Sequence, residues 1–147
     1  MGMGKWYQAK KEKEFRLSEE AGQAAVLEFL NFYGVELEFA RDAEESADKS
    51  LDAMRDYYRM GLLENKHDES LGFCVVQHLV SGQTLTYREM KGSDRLAADR
   101  FDAKTQLNEK ANAILGKLSG LGDDAIMMLM RDDRKAAVLV ATVFFFV

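Results

Sequence analysis

An α+β fold, with a small antiparallel sheet packed against about four to five helices, is what the residue pattern predicts. Three observations carry it. The β-branched run Phe73 to Val80, the turn Ser81-Gly82-Gln83 and the alternating Thr84 to Arg88 read as a hairpin over 73–88. Capped stripes at helical spacing occupy 19–33 and 43–60. A longer helix is read over 94–118, on a stripe of Leu107, Ala111, Ile114 and Leu118 extended by Ala103 and less regularly by Leu96 and Phe101. A chain of 147 residues, 47% hydrophobic and 31% charged, is sized for one core, so residues 1–147 are read as a single domain. There is no proline, which leaves the eleven glycines to mark the breaks.

Taken in order, residues 1–17 are expected to be a partly flexible start, with Glu14-Phe15-Arg16-Leu17 alternating as a short strand would. Ser18 ahead of Glu19 and Glu20 supplies a capping hydroxyl and two carboxylates for the first helix, which carries Val26, Phe29, Leu30 and Tyr33 on one side. Gly34 closes it. Val35, Leu37 and Phe39 then alternate with Glu36 and Glu38, the period of a half-buried strand. Asp42 and Glu45 have capping-box spacing, and Ala43, Ala47, Leu51, Met54 and Tyr58 form the stripe of a second helix ending at Gly61. Residues 18–66 thus make an acidic helical half, closed by a polar turn from Asn65 to Ser70. Residues 71–147 hold the hairpin and the C-terminal helices. Ser93 is the expected cap of the long helix 94–118, Gly120 and Gly122 end it, and Asp123 caps a short apolar turn from Ala125 to Met130. Asp132 or Asp133 caps the last segment. There β-propensity in Val138, Val140 and Val143 competes with the caps, and helix is the reading adopted for 136–147.

Charge is uneven along the chain. Residues 1–16 carry +3, residues 17–70 carry −9 and residues 71–147 carry +1. A nucleic-acid binder needs a basic stripe that neutralises several phosphates, so nucleic acid is not the expected partner. The longest apolar run, Ala136 to Val147, has twelve residues where a spanning helix needs about twenty. No secretory signal is recognisable at the start, and one cysteine excludes an internal disulfide, so a cytoplasmic protein is expected.

Chemistry has few carriers. Cys74 and His78 are four apart, which on a strand puts them on one side, but they sit in an apolar run with no neighbouring carboxylate to orient the imidazole. One cysteine and two histidines cannot complete a structural zinc site. Glu44, Glu45, Asp48, Asp52 and Asp56 fall on the solvent side of a helix, and Asp123-Asp124 and Asp132-Asp133 precede apolar segments as caps do. No phosphate loop, nucleophile elbow or dinucleotide fingerprint is present. No enzyme activity, metal or cofactor is therefore expected.

Apolar excess near the C-terminus is the positive signal. Ile126 to Met130 and Val138 to Val147 are apolar all round, more than a small core readily conceals. The candidate partner-binding residues are Ile126, Met127, Met130, Val140, Val143, Phe144 and Phe145. Methionine suits such a surface because its thioether chain is flexible and polarizable. The same segments can equally serve as core.

Several stretches together carry a family resemblance. They are Leu51 to Leu63 (LDAMRDYYRMGLL), the hairpin ending Thr84-Leu85-Thr86-Tyr87-Arg88-Glu89, and Gly92-Ser93-Asp94 leading into a charged helix. The break Leu118-Ser119-Gly120-Leu121 and the final Asp133 with its apolar stretch ending Phe144-Phe145-Phe146 complete them. Over residues 50–147 the chain resembles the tail assembly chaperones of long-tailed, Mu-like bacteriophages and prophages; the methionine-rich segment departs from that pattern. The resemblance implies a non-enzymatic protein of the bacterial cytoplasm that keeps the tape-measure protein soluble during tail assembly. It also implies two product lengths made by frameshifting, with which the codons of Phe144-Phe145-Phe146 are compatible. The alternative is a structural or oligomeric module, a virion subunit or small adaptor, that self-associates through its apolar C-terminal segment.

Overall fold

The computed structural model describes residues 15–35, 47–102 and 105–144. Among them are six helices and one antiparallel sheet of three strands in the order β1-β2-β3, an α+β architecture. The elements are α1 (Glu19–Phe32), α2 (Ala47–Arg59), β1 (Leu63–Asp68), β2 (Gly72–His78), β3 (Thr84–Tyr87), α3 (Gly92–Asp99), α4 (Leu107–Ser119), α5 (Asp123–Met127) and α6 (Arg131–Phe144). The strand expected from Val35 to Phe39, beyond a buried Val35, lies outside the described residues, as do the Asp42–Glu45 capping pair and Phe145.

Local chemistry accounts for most boundaries. Ser18 Oγ accepts the Ala21 N–H at 3.1 Å and opens α1. The strand expected at Glu14 to Leu17 is a bend in its described part, because the amides of Arg16 and Leu17 both donate to the Arg59 carbonyl at the end of α2. The polar turn expected from Asn65 to Ser70 is, as far as Asp68, strand β1, paired from Leu63↔Gln77 to Asp68↔Gly72. The turn itself is short: Asp68 Oδ1 accepts the amides of Ser70 and Leu71 at 2.8 and 2.9 Å, and Gly72 follows with φ 77°. The hairpin over 73–88 is present as β2 and β3, and its loop is closed by Leu79 N–H donating to Gln83 O at 2.8 Å.

The single helix expected over 94–118 is two helices. Between α3 and α4, Asp102 Oδ1 accepts the Thr105 amide and Gln106 Oε1 accepts the Asp102 amide, so polar side chains divert the main chain from the helical ladder. Ser93 is not the cap. Lys91 holds that position, and its amide donates to Asp94 Oδ2 at 2.9 Å. Gly120, with φ 74°, ends α4 as expected. The described part of the last segment, which ends at Phe144, is helical, but Asp133 lies inside its first turn and its carboxylate accepts the Val80 amide at 3.0 Å instead of capping.

Alternation along the strands places Leu63, Asn65, Phe73, Val75, Gln77, Leu85 and Tyr87 on one sheet face, which the helices cover. Phe32 of α1 stacks on Phe73 at 4.5 Å between ring centroids, and Phe29 and Tyr33 meet the ring of Phe144 from α6 at 5.6 and 5.1 Å. The polar members of that face are satisfied. Tyr58 Oη donates to Asn65 Oδ1, Tyr87 Oη donates to Gln77 Oε1, and Gln77 Nε2 donates to the carbonyl of Asp133. These bonds tie the sheet to α2 and α6.

Candidate functional site: an exposed methionine surface

The surface around α5 follows from two chain reversals. Gly120 turns the chain out of α4 in the left-handed conformation, Gly122 continues with φ 90°, and its amide donates to the Gly116 carbonyl at 3.1 Å. What remains before α6 is the five-residue helix α5. So short a helix turns one side chain squarely inward, and that residue is Ile126. Arg134 anchors the link by donating to Asn112 Oδ1 at 2.7 Å and to the Ile126 carbonyl at 3.2 Å.

The consequence is a methionine cluster facing solvent. Met127, Met128 and Met130 are 59%, 83% and 62% exposed. Of the seven candidate partner residues, Ile126, Val140, Val143 and Phe144 are enclosed in the core, Met127 and Met130 stand at the surface, and Phe145 lies outside the described residues. Met128, the most exposed of the group, belongs to the same apolar run but was not among the candidates. Its signal was the brevity of the helix between Gly122 and the Asp132-Asp133 pair, which leaves room for one inward position.

Elsewhere the groups with chemical potential are committed to structure. Cys74 is buried, its Sγ contacts the Gly72 carbonyl at 3.5 Å, and burial pushes its thiol up from the ordinary range. His78 does have a carboxylate partner, contrary to expectation: Glu64 Oε1 on β1 lies 2.9 Å from its Nε2. Four residues along an extended strand separate Cys74 from His78 by about 13 Å, too far for one to take a proton from the other. Tyr33, whose hydroxyl accepts the Met90 amide at 2.9 Å, is pushed up to about 12 by burial. On α2, Arg55 bridges Glu19, Asp52 and Asp56 at 3.3 to 3.5 Å, a solvated ion-pair ladder. Among the described residues no three metal-ligating side chains converge, and no helix is long and apolar enough to cross a membrane.

Comparison with protein families, curated proteins and solved structures finds no match. The functional reading therefore rests on the residues.

Proposed function

We propose that this chain is a non-enzymatic protein-binding module that covers apolar sequence on a helical client, as the tail assembly chaperones it resembles cover the tape-measure protein. The observation that carries the reading is the outward cluster of Met127, Met128 and Met130. Three methionines within four residues, held at the surface by a buried Ile126, offer adaptable apolar contact without the rigidity of a shaped pocket. The acidic ladder on α2 supports the reading from the other side, since a cover must also present a charged exterior. The self-association reading has less to draw on, because Val140, Val143 and Phe144 are enclosed within the chain itself.

The neighbouring genes supply the test. If the reading holds, a tube-protein gene and a very long helical reading frame flank this one, and the product of that frame stays soluble only when co-expressed with this chain. Replacing Met127 and Met128 by Glu abolishes the solubilising effect while the far-UV spectrum and melting transition remain those of the wild type. Solubility that is the same with the wild-type chain, the variant and no chain would overturn the proposal.

A further inference from the structure

At Thr84 and Thr86 the outer edge of β3 meets no main-chain partner among the described residues, and a groove with leucines in its walls lies beside it. His78 N–H donates to Leu62 O, and Leu79 N–H donates to Gln83 O. In antiparallel ladders hydrogen-bonded pairs recur every second residue. It follows that Phe73, Val75 and Gln77 of β2 turn their main chain toward β3, where Leu85 and Tyr87 answer them. Thr84, Thr86 and Arg88 then point the other way. At Arg88 the outward N–H donates to the carbonyl of Leu118, the penultimate residue of α4, at 3.1 Å. At Thr84 and Thr86 no described residue takes that place.

The space beyond these two residues is a groove of about 480 Å³ between the strand edge and the end of α4, with Leu118, Gly120 and Leu121 as its far wall and Leu71 at one end. Leu71 and Leu121 are 43% and 57% exposed. The guanidinium of Arg88, which also borders the groove, is already committed to both oxygens of Asp94 at 2.6 and 2.7 Å. Amide and carbonyl groups two residues apart with no partner among the described residues ask for another backbone, and a lining of leucines, threonines and Ser119 whose one cation is held by Asp94 asks for uncharged side chains.

We infer that the β3 edge is a strand-addition site, where an extended, uncharged segment of another protein pairs with Thr84 and Thr86 and lays alternate side chains against Leu71 and Leu121. The contact of Leu118 O with Arg88 N–H bounds the site, leaving room for only a few residues of the guest. A second copy fits the groove poorly. In a two-fold pairing of β3 with itself, each copy would bring its own Leu118–Leu121 wall to the place the other strand must occupy. The site shares no residue with the methionine cluster and stands whether or not that surface binds a client.

The test is amide exchange on the full chain, read by NMR, with a capped peptide of alternating valine and threonine flanked by lysines as the probe. The Thr84 and Thr86 amides are expected to exchange freely in the isolated protein. With peptide at roughly ten times its dissociation constant they should slow about tenfold. Methylating alternate peptide nitrogens separates backbone pairing from apolar adhesion: one methylation parity should abolish protection and the other preserve it. Thr86→Pro removes an outward donor without touching the β2 ladder, and Leu121→Glu spoils the wall without touching the strand; both should lose protection, and the second serves should the first unfold. The inference is overturned if millimolar peptide leaves both amides unprotected, if both methylated peptides protect equally, or if Leu121→Glu is protected like the wild type. It is overturned as well if the amides are protected without peptide and sedimentation reports a dimer, which would assign the edge to a second copy. The Met127→Glu, Met128→Glu protein should still be protected, so this outcome is read independently of the proposed client surface.

Discussion

Asp94 and Asp133 are both almost fully enclosed, yet their surroundings push them in opposite directions. The Arg88 guanidinium, with help from the Lys91 amide, holds the Asp94 carboxyl below the usual carboxylate range against the pull of burial. Its folded value lies below its unfolded one. Asp94 therefore contributes stability above the unfolded carboxylate value, about 3.9, and that contribution is lost as pH falls through the folded value. Burial, with the charge of Asp132, pushes Asp133 up, and the Val80 amide offsets only part of this. Asp133 favours the folded state most below the unfolded value, and that advantage is lost as pH rises through the folded one. Urea unfolding followed from about pH 3 to about pH 7 should show both signs. Asp94→Asn should cost about 1–3 kcal/mol at neutral pH, the range for breaking a charge-assisted bond whose arginine is partly solvated, and should flatten the acid limb. Asp133→Asn keeps an oxygen for the Val80 amide and should instead remove the decline on the rising side. Neither role was legible in the sequence, where both residues read as helix-starting carboxylates; which donor an aspartate meets depends on a residue far away in the chain or, for Arg88, across a bend.

At the scale of elements, α4 owes its place to a glycine. A Cβ on Gly116 would come within 2.5 Å of the Gly122 carbonyl carbon and 2.6 Å of the Asp123 nitrogen, both main-chain atoms that cannot swing aside. Gly116→Ala should push the start of α5 off α4 and cost about 1–3 kcal/mol in urea unfolding, as overpacking does. Gly92→Ala, where the added methyl would meet nothing within 4 Å, should leave the midpoint within about 0.5 kcal/mol of the wild type. A Gly116→Ala midpoint at or above that of the wild type, the direction in which helix propensity alone moves it, would mean that the close approach does not hold α5 in place. Helices α1 and α2 and the β2–β3 hairpin were readable because the Ser18 cap of α1, the stripes of both helices and the turn glycine are each local in sequence. Strand β1 was not. Glu64, Lys66 and Asp68 make it look like a turn, and its inward Asn65 is polar; only the Tyr58 hydroxyl and the pairing with β2 make that residue an interior one. The break between α3 and α4 was hidden for the converse reason, since Asp102, Thr105 and Gln106 suit an exposed helical face as well as the turn they build.

For the whole molecule the deciding question is which apolar residues of the C-terminal third are enclosed. Val143 is 2% exposed on α6 and Met128 is 83% exposed beside α5. Val143→Asp should cost several kcal/mol, the range for an unpaired charge in a core, and should broaden or abolish the melting transition. Met128→Asp should shift stability by no more than about 0.5 kcal/mol, with any loss confined to client binding. Thermal melts of the two proteins side by side check this, and a cooperative wild-type-like melt for Val143→Asp would show that α6 is not core. The candidate surface was thus only partly legible. The sequence by itself determined that this is an α+β chain, that its C-terminal third carries more apolar residues than one helical face can hold, and that three methionines fall within four residues there. Only the tertiary structure decided that α6 turns Val140, Val143 and Phe144 against α1, α2 and α4 while the short α5 leaves Met127, Met128 and Met130 outside. The physical reason is that periodicity identifies a face only where a helix has two kinds of residue to separate. Where every position is apolar, the side that is buried is set by where the neighbouring elements stand.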